Sequence, residues 1–290
     1  MDRSKFCGCK GVRTCLLCEE KYGLKENQNS ITDLVKSVEP FTYCIYCNKV
    51  YPGWNEYEYL NHPHHSSDGS YRVTGVYVLP DFISDDEERQ LIHDLDSLPW
   101  DISQSGRRKQ NFGPACNFKK RKVKAGTFRG FPITTKYVQD KFADIPLLEK
   151  YKTIEQCSLE YDPSRGASID PHIDDCWVWG ERIVTVNLLA DSVLTLTKYK
   201  GSRDRYNLNL APDSFSEIED IAVRIPMPRK SLVVLYGEAR YKWEHCVLRD
   251  DIKSRRVCLA YREFTHPYLP DGEHEKEGEL ILKIAENFWS

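Results

Sequence analysis

A mainly β chain with flanking helices, folded as a double-stranded β-helix (jelly roll) and preceded by a cysteine-rich extension, is the architecture these 290 residues predict. Three observations predict it. From Thr153 onward hydrophobic residues alternate with a period of two through six candidate strands: TIEQCSLEYD, ERIVTVNLLAD, SVLTLTKYK, IAVRIP, SLVVLYGE and SRRVCLAYREF. Clusters of Pro, Gly, Asp and Ser separate them. No long helical crossover intervenes, so the strands are expected to run antiparallel, as a sandwich or jelly roll.

The remaining elements follow in order. Residues 1–70 are polar and rich in Cys and His, ending in the loop-like HPHHSSDGSY, and read as a separate N-terminal region. Tyr71 to Pro80 reads as a strand. Asp85 to Leu98 reads as a helix, with an acidic first turn that suits the positive end of its dipole and with Leu91, Ile92, Leu95 and Leu98 at helical spacing. A short helix is expected over Thr135 to Ala143. The core domain is thus expected over 71–265, interrupted by an insertion loop from Gly201 to Glu219. A helical tail, 266–290, would hold a helix from about Gly278 to Phe288 with Leu280, Ile281, Ile284, Ala285 and Phe288 on one face.

A net charge of −3 imposes no global demand for a polyanion or a membrane surface as partner, so any nucleic-acid contact must be local. No stretch approaches the roughly 18 continuous apolar residues of a spanning helix, and MDRSKFCGCKG has no apolar leader segment. The expected locations are cytoplasm and nucleus, and the eleven cysteines are expected as thiols or metal ligands rather than disulfides.

The chemistry-bearing pattern is His172-x-Asp174, a distant His245, then Arg256-x5-Arg262. Two neutral imidazoles and one carboxylate satisfy Fe(II) without closing its coordination sphere, leaving open positions for oxygen chemistry. In an extended segment the side chains of His172 and Asp174 leave the same side, whereas Asp175 points away. On one strand Arg256, Cys258, Ala260 and Arg262 share a face, so two guanidinium groups project into one cavity with only small side chains between them. An inward guanidinium needs an anionic partner, and a dicarboxylic acid supplies two. Trp177 and Trp179 straddle the metal segment and are candidates for pocket walls, while His93 reads as a packing or surface residue.

These residues resemble the AlkB branch of the Fe(II)- and 2-oxoglutarate-dependent dioxygenases over about 71–265. The resemblance implies iron ligation by His172, Asp174 and His245. It implies that Arg256 binds the far carboxylate of 2-oxoglutarate, that Arg262 sits near its iron-chelating end, and that Tyr161 supports the cosubstrate. QSGRRKQNFGP is similar to the family's substrate lid, with Arg107, Arg108 and Phe112 as its residues. The stretches CGCKGVRTCLLCE, IDPHIDDCWVWGERIV and RRVCLAYRE narrow the likeness to the fourth animal AlkB subfamily. The implied reaction is hydroxylation of an N-methyl group with release of formaldehyde, succinate and CO2. Methylated protein lysine (actin-like) and 6-methyladenine in DNA are the implied substrates.

Cys7, Cys9, Cys15 and Cys18 are candidates for a structural Zn(II) site, with Cys44, Cys47, His62 or His64 as substitutes or a second set. Nine basic residues and no acidic one lie between Arg107 and Arg129: Arg107, Arg108, Lys109, Lys119, Lys120, Arg121, Lys122, Lys124 and Arg129. Phe112, Phe118 and Phe128 are interleaved, a combination that suits single-stranded nucleic acid, an acidic protein surface or a nuclear import signal. Two other functions fit the same residues: a zinc-stabilised scaffold for chromatin or cytoskeletal proteins, and a protein hydroxylase of the same superfamily.

Overall fold

The computed structural model of the chain describes residues 3–25, 33, 37–55, 57–66, 68–212 and 219–290. Part of the expected insertion loop, residues 213–218, lies outside them.

Two seven-stranded sheets face each other. Edge to edge, the first runs Ile169–His172, Trp243–Val247, Ser192–Lys198, Ile221–Met227, Glu39–Cys44, Lys49–Pro52, Tyr71–Arg72. The second runs Val76–Leu79, Leu232–Leu235, Trp179–Leu188, Arg256–Phe264, Glu155–Tyr161, Arg108–Phe112, Asp101–Ile102. From Glu155 to Phe264 the strands cross between the sheets so that four lie in each, which is the jelly-roll winding the alternation predicts. The sequence separation of His172 and His245 follows from it, since their two strands are hydrogen-bonded neighbours.

The period of two assigns the faces. On Arg256–Phe264 the residues Val257, Leu259 and Tyr261 look outward, where they pack with Val184, Val186 and Leu188 beneath the helix Asp85–Ser97. That helix buries Leu91 and Leu95, and Ser84 caps it by accepting from the Glu87 amide while the Glu87 carboxylate takes the Ser84 N–H. The other face of the strand looks into the space between the sheets, which is where the site lies.

Several expectations need adjustment. Tyr71 to Pro80 divides into two strands in different sheets, Tyr71–Arg72 and Val76–Leu79. Residues 39–52, grouped by composition with the cysteine-rich head, extend the first sheet, Glu39–Cys44 pairing parallel to Ile221–Met227. Phe41, Tyr43 and Val50 are buried there, an apolar content masked in the sequence by polar neighbours. The segment Thr135 to Ala143 forms a mixed helical stretch, with α-helix over Lys136–Asp140 flanked by 3₁₀ turns. The last helix is Glu275–Ala285; it buries Gly278, Ile281 and Ala285 but leaves Leu280 exposed, and Phe288 lies in a short strand paired with Phe131–Pro132.

Candidate active site

The centre of the site is a cross-strand pair. His172 ends the strand Ile169–His172 and is the register partner of His245 on Trp243–Val247, with ring centroids 4.2 Å apart. The chain turns after His172 and brings Asp174 to the same point, where its Oδ2 lies 3.7 Å from His245 Nε2. One ligand atom from each of the three residues falls within 4.8 Å of the other two. Asp175 takes no part; its Oδ1 accepts from the Asn207 amide.

Protonation states suit a cation. His172 Nδ1 is 2.8 Å from the Asp170 carbonyl oxygen, which can only accept, so Nδ1 carries the proton and Nε2 keeps its lone pair. Burial lowers the pKa of His172, and burial together with the His172 ring lowers that of His245 to about 3, so both rings are neutral near pH 7. Burial, the largest single effect, would raise the pKa of Asp174, but the Arg262 guanidinium together with His245, His172 and Arg240 outweighs it and holds the carboxyl well below the usual range. Arg262 donates from Nε and Nη2 to Asp174 Oδ1, both at 2.9 Å, and from Nη1 to Glu155 at 2.6 Å. Asp174 Oδ2 is buried and has no hydrogen-bond partner among the described residues. One oxygen of the carboxylate is thus fully engaged while the other faces the two imidazoles, the arrangement of a monodentate metal ligand.

Deeper along the same strand face stands Arg256, 2% exposed. Its Nε donates to Asn187 Oδ1 at 2.6 Å and its guanidinium lies over the Tyr161 ring at 4.8 Å. Among the described residues Nη2 meets only the Met227 sulfur, at 3.8 Å, and the buried Nη1 has no partner. A buried cation with unfilled donors is costly unless an anion completes it. Sheet register sets both arginines: Arg256 is opposite Tyr161 and Arg262 opposite Glu155 on the adjacent strand. Donor set and unfilled groups therefore fit a divalent metal plus a dicarboxylate, the metal on His172, Asp174 and His245 and the carboxylate on Arg256.

A cavity of about 340 Å³ opens onto this centre, lined among others by His172, Asp174, Trp179, Tyr206, Phe118 and Arg107. The lid expected at QSGRRKQNFGP does not act as one piece. Arg107 lines the cavity, whereas Arg108 and Phe112 belong to an in-sheet strand and point away from it. Arg108 is opposite Glu160 in register and binds it, on the face opposite to Tyr161 and Arg256; Phe112 packs on Trp289, ring centroids 5.9 Å apart. Glu160 also takes Arg165 and Arg255; burial is the largest single effect on its carboxyl, but Arg108, Arg255 and Arg165 together outweigh it and pull the carboxyl down to about 2. Trp179 walls the cavity, whereas Trp177 packs behind it against Phe118 and Tyr268.

Sequence reasoning missed four residues here. Asn187 orients Arg256, Glu155 shares Arg262, and Arg240 donates to the Asp174 carbonyl at 2.8 Å. The first two are polar residues at inward positions of apolar strands, a signal the sequence does carry. Arg13 is the fourth, bonding Asp170 and Gln104 at the cavity rim at 3.0 and 2.9 Å. It reaches there because the cysteine-rich head docks on the core, where Glu19 pairs with Arg249 at 2.8 Å. Within the head the sulfurs of Cys7, Cys9, Cys15 and Cys18 are buried within 4.8 Å of one another, and none is in a disulfide.

No protein-family model matches the chain. Curated relatives do. It is 37% identical to the human alpha-ketoglutarate-dependent dioxygenase alkB homolog 4, across 97% of this chain and 94% of that one. The mouse protein of the same name is 35% identical over the same shares. A Caenorhabditis elegans DNA N6-methyl adenine demethylase is 32% identical, across 96% of this chain and 94% of its own. Near-complete coverage at these identities, together with a jelly roll that gathers two histidines, an aspartate and two inward arginines, establishes that the chain belongs to the AlkB family of alpha-ketoglutarate-dependent dioxygenases.

Proposed function

We propose that this enzyme is an oxidative N-demethylase whose favoured substrate is an N-methylated nucleic-acid base, with 6-methyladenine in DNA as the first candidate. The observation that carries the reaction class is the pair of unfilled buried groups, Asp174 Oδ2 beside two imidazoles and Arg256 Nη1 on the same interior face. His172, Asp174 and His245 would hold Fe(II), and Arg256, positioned by Asn187 and Tyr161, would hold the far carboxylate of 2-oxoglutarate. When bound, iron and 2-oxoglutarate would supply the means to use O2 as oxidant, one oxygen atom going into succinate as 2-oxoglutarate loses CO2 and the other becoming the hydroxyl on the N-methyl carbon, after which the hemiaminal breaks to formaldehyde and the free nitrogen. The protein's own work is placement. Arg262 keeps one Asp174 oxygen occupied so that the other stays single and directed, and Trp179, Phe118 and Tyr206 line the approach so that a flat base or a methyl group displaces water.

The nucleic-acid reading rests on the short hairpin that joins Ala115–Asn117 to Lys122–Lys124. Lys119, Lys120, Arg121 and Lys122 are exposed on it, and Phe118, 51% exposed, reaches from it into the cavity lining. Cations followed by an aromatic platform at the mouth of a reaction pocket suit a phosphate track that delivers an unstacked base. Charge reversal at Lys119, Lys120 and Lys122 is expected to weaken binding of single-stranded DNA and flatten its dependence on log salt by up to about three counterions, measured by fluorescence anisotropy across a salt series. An unchanged slope would remove the hairpin from the DNA path.

Methylated protein lysine, actin-like or other, is a second reading, favoured by Asp170, Asp175 and the rings of Trp179 and Tyr206 around the same cavity, which suit a methylammonium group. Formaldehyde release measured side by side on 6-methyladenine DNA and methyl-lysine peptides decides between them. Formaldehyde matched one-for-one by succinate is the expected result with DNA. A stable hydroxylated product would instead mark a hydroxylase. We further propose that Cys7, Cys9, Cys15 and Cys18 bind a structural zinc that holds Arg13 at the cavity rim. The exposed KKRK run, of the kind read by import machinery, supports residence in the nucleus as well as the cytoplasm.

A further inference from the structure

We propose that Cys44, Cys47, His62 and His65 form a structural Zn(II) site, distinct from the oxygenase centre and from the cysteine group at 7–18. The four ligand atoms lie within 4.8 Å of one another. Cys44 Sγ is 3.2 Å from His65 Nε2 and 4.0 Å from His62 Nδ1. Zinc with bonds of about 2.3 Å to sulfur and 2.0–2.1 Å to nitrogen separates its tetrahedral ligands by roughly 3.3–3.8 Å, so pairs of ligand atoms need to approach by no more than about 1–1.5 Å to close on an ion. Two thiolates and two neutral imidazoles balance the charge of Zn(II), and this mixed donor set is one that zinc favours. The sequence left His62 and His64 as alternatives; the fold selects His62 and His65, with His64 exposed and outside the group.

Local structure supports ligation more than chance proximity of thiols. Cys44 and Cys47 flank the turn between Glu39–Cys44 and Lys49–Pro52. Asn48 adopts φ 57°, which lets its N–H reach the Cys44 carbonyl at 3.0 Å and folds the turn back over the sulfurs. On the histidine side, Glu58 Oε1 is 3.3 Å from His65 Nδ1. The carboxylate can only accept, so it holds the proton on Nδ1 and leaves the Nε2 lone pair facing Cys44. Tyr51 completes the surround, its ring 4.3 Å from that of His65 and its hydroxyl 3.3 Å from Cys47 Sγ.

The site would clamp the short helical turn Glu58–Asn61 and the residues after it onto the edge hairpin of the first sheet. The turn, its cap and the hairpin expose Leu60, Tyr57 and Tyr46, and Glu58–Asn61 contains no buried residue, so a metal supplies cohesion that packing does not.

Zinc counted by inductively coupled plasma mass spectrometry on the full chain tests the assignment. Cys44→Ser/Cys47→Ser is expected to carry one zinc fewer per chain than the parent, His65→Ala likewise, and His64→Ala none fewer. Undiminished zinc in a soluble Cys44→Ser/Cys47→Ser chain overturns the site. Should those variants fail to fold, alkylation of the parent mapped by peptide mass spectrometry answers the same question. Cys44 and Cys47 should be protected until a chelator strips the metal; equal labelling before and after stripping overturns the site. Because peptides containing Cys7 to Cys18 are read separately, loss of protection there alone affects the other zinc proposal and leaves this one standing.

Discussion

Replacing His172 by alanine is expected to lower 2-oxoglutarate-dependent turnover by more than about 100-fold while the chain remains folded. The size follows from what milder changes do: loss of an outer partner of a metal ligand typically costs 10–100-fold in metal affinity or activity, and loss of a ligand exceeds that. The fold should survive because His172 ends its strand and, among the described residues, makes its one side-chain hydrogen bond to the nearby Asp170 carbonyl and no ion pair. Asp174→Ala should lose activity as completely but behave differently in unfolding. Its removal strips Arg262 of one of two carboxylates, leaving Glu155 to carry a buried guanidinium by itself. Urea unfolding of the two variants beside a formaldehyde assay separates the roles, and retained turnover in either would dismiss it as a ligand. Asp174→Asn keeps the shape and should restore much of the stability but little of the activity.

Arg256→Ala is expected to raise the 2-oxoglutarate KM by roughly 30-fold to several thousand-fold, the equivalent of the 2–5 kcal/mol that truncating one side of a buried, hydrogen-bonded charge pair costs. The same substitution should leave the cosubstrate-free chain at least as stable as the parent in thermal unfolding. The reason is that Arg256 is buried with Nη1 unpartnered, so its deletion removes a desolvated cation that no carboxylate of the chain neutralises among the contacts described. Stabilisation of the parent by added 2-oxoglutarate should disappear in the variant. A large fall in cosubstrate-free stability with an unchanged KM would make Arg256 a structural residue braced by Asn187 and Tyr161, and would take the dicarboxylate out of this pocket.

Much of this architecture was legible in the chain because two local rules are strong. The period of two in RRVCLAYREF sorts Arg256 and Arg262 from Val257, Leu259 and Tyr261 without any knowledge of neighbours, and the structure keeps that sorting. An acidic first turn behind Ser84 marks the helix Asp85–Ser97. Where long-range pairing decides, local rules mislead. Phe41, Tyr43 and Val50 sit among cysteines and polar residues and read as a head, yet they enter the first sheet by pairing with a strand nearly two hundred positions later. Arg108 and Phe112 read as lid residues, but register with Glu155–Tyr161 turns them to the outer face.

By itself the sequence determined donor chemistry and face: two imidazoles, one carboxylate and two guanidinium groups, with the arginines on one side of one strand. Only the tertiary structure decided which partners complete them. Pairing His172 with His245, placing Arg256 against Asn187 and Tyr161, dividing Arg262 between Asp174 and Glu155, and choosing His65 over His64 all depend on strand crossings and docking between distant segments. The physical reason is that side-chain direction along a strand is a local property of backbone geometry, whereas contact between strands is set by packing of the whole core, whose free energy no short stretch of chain contains.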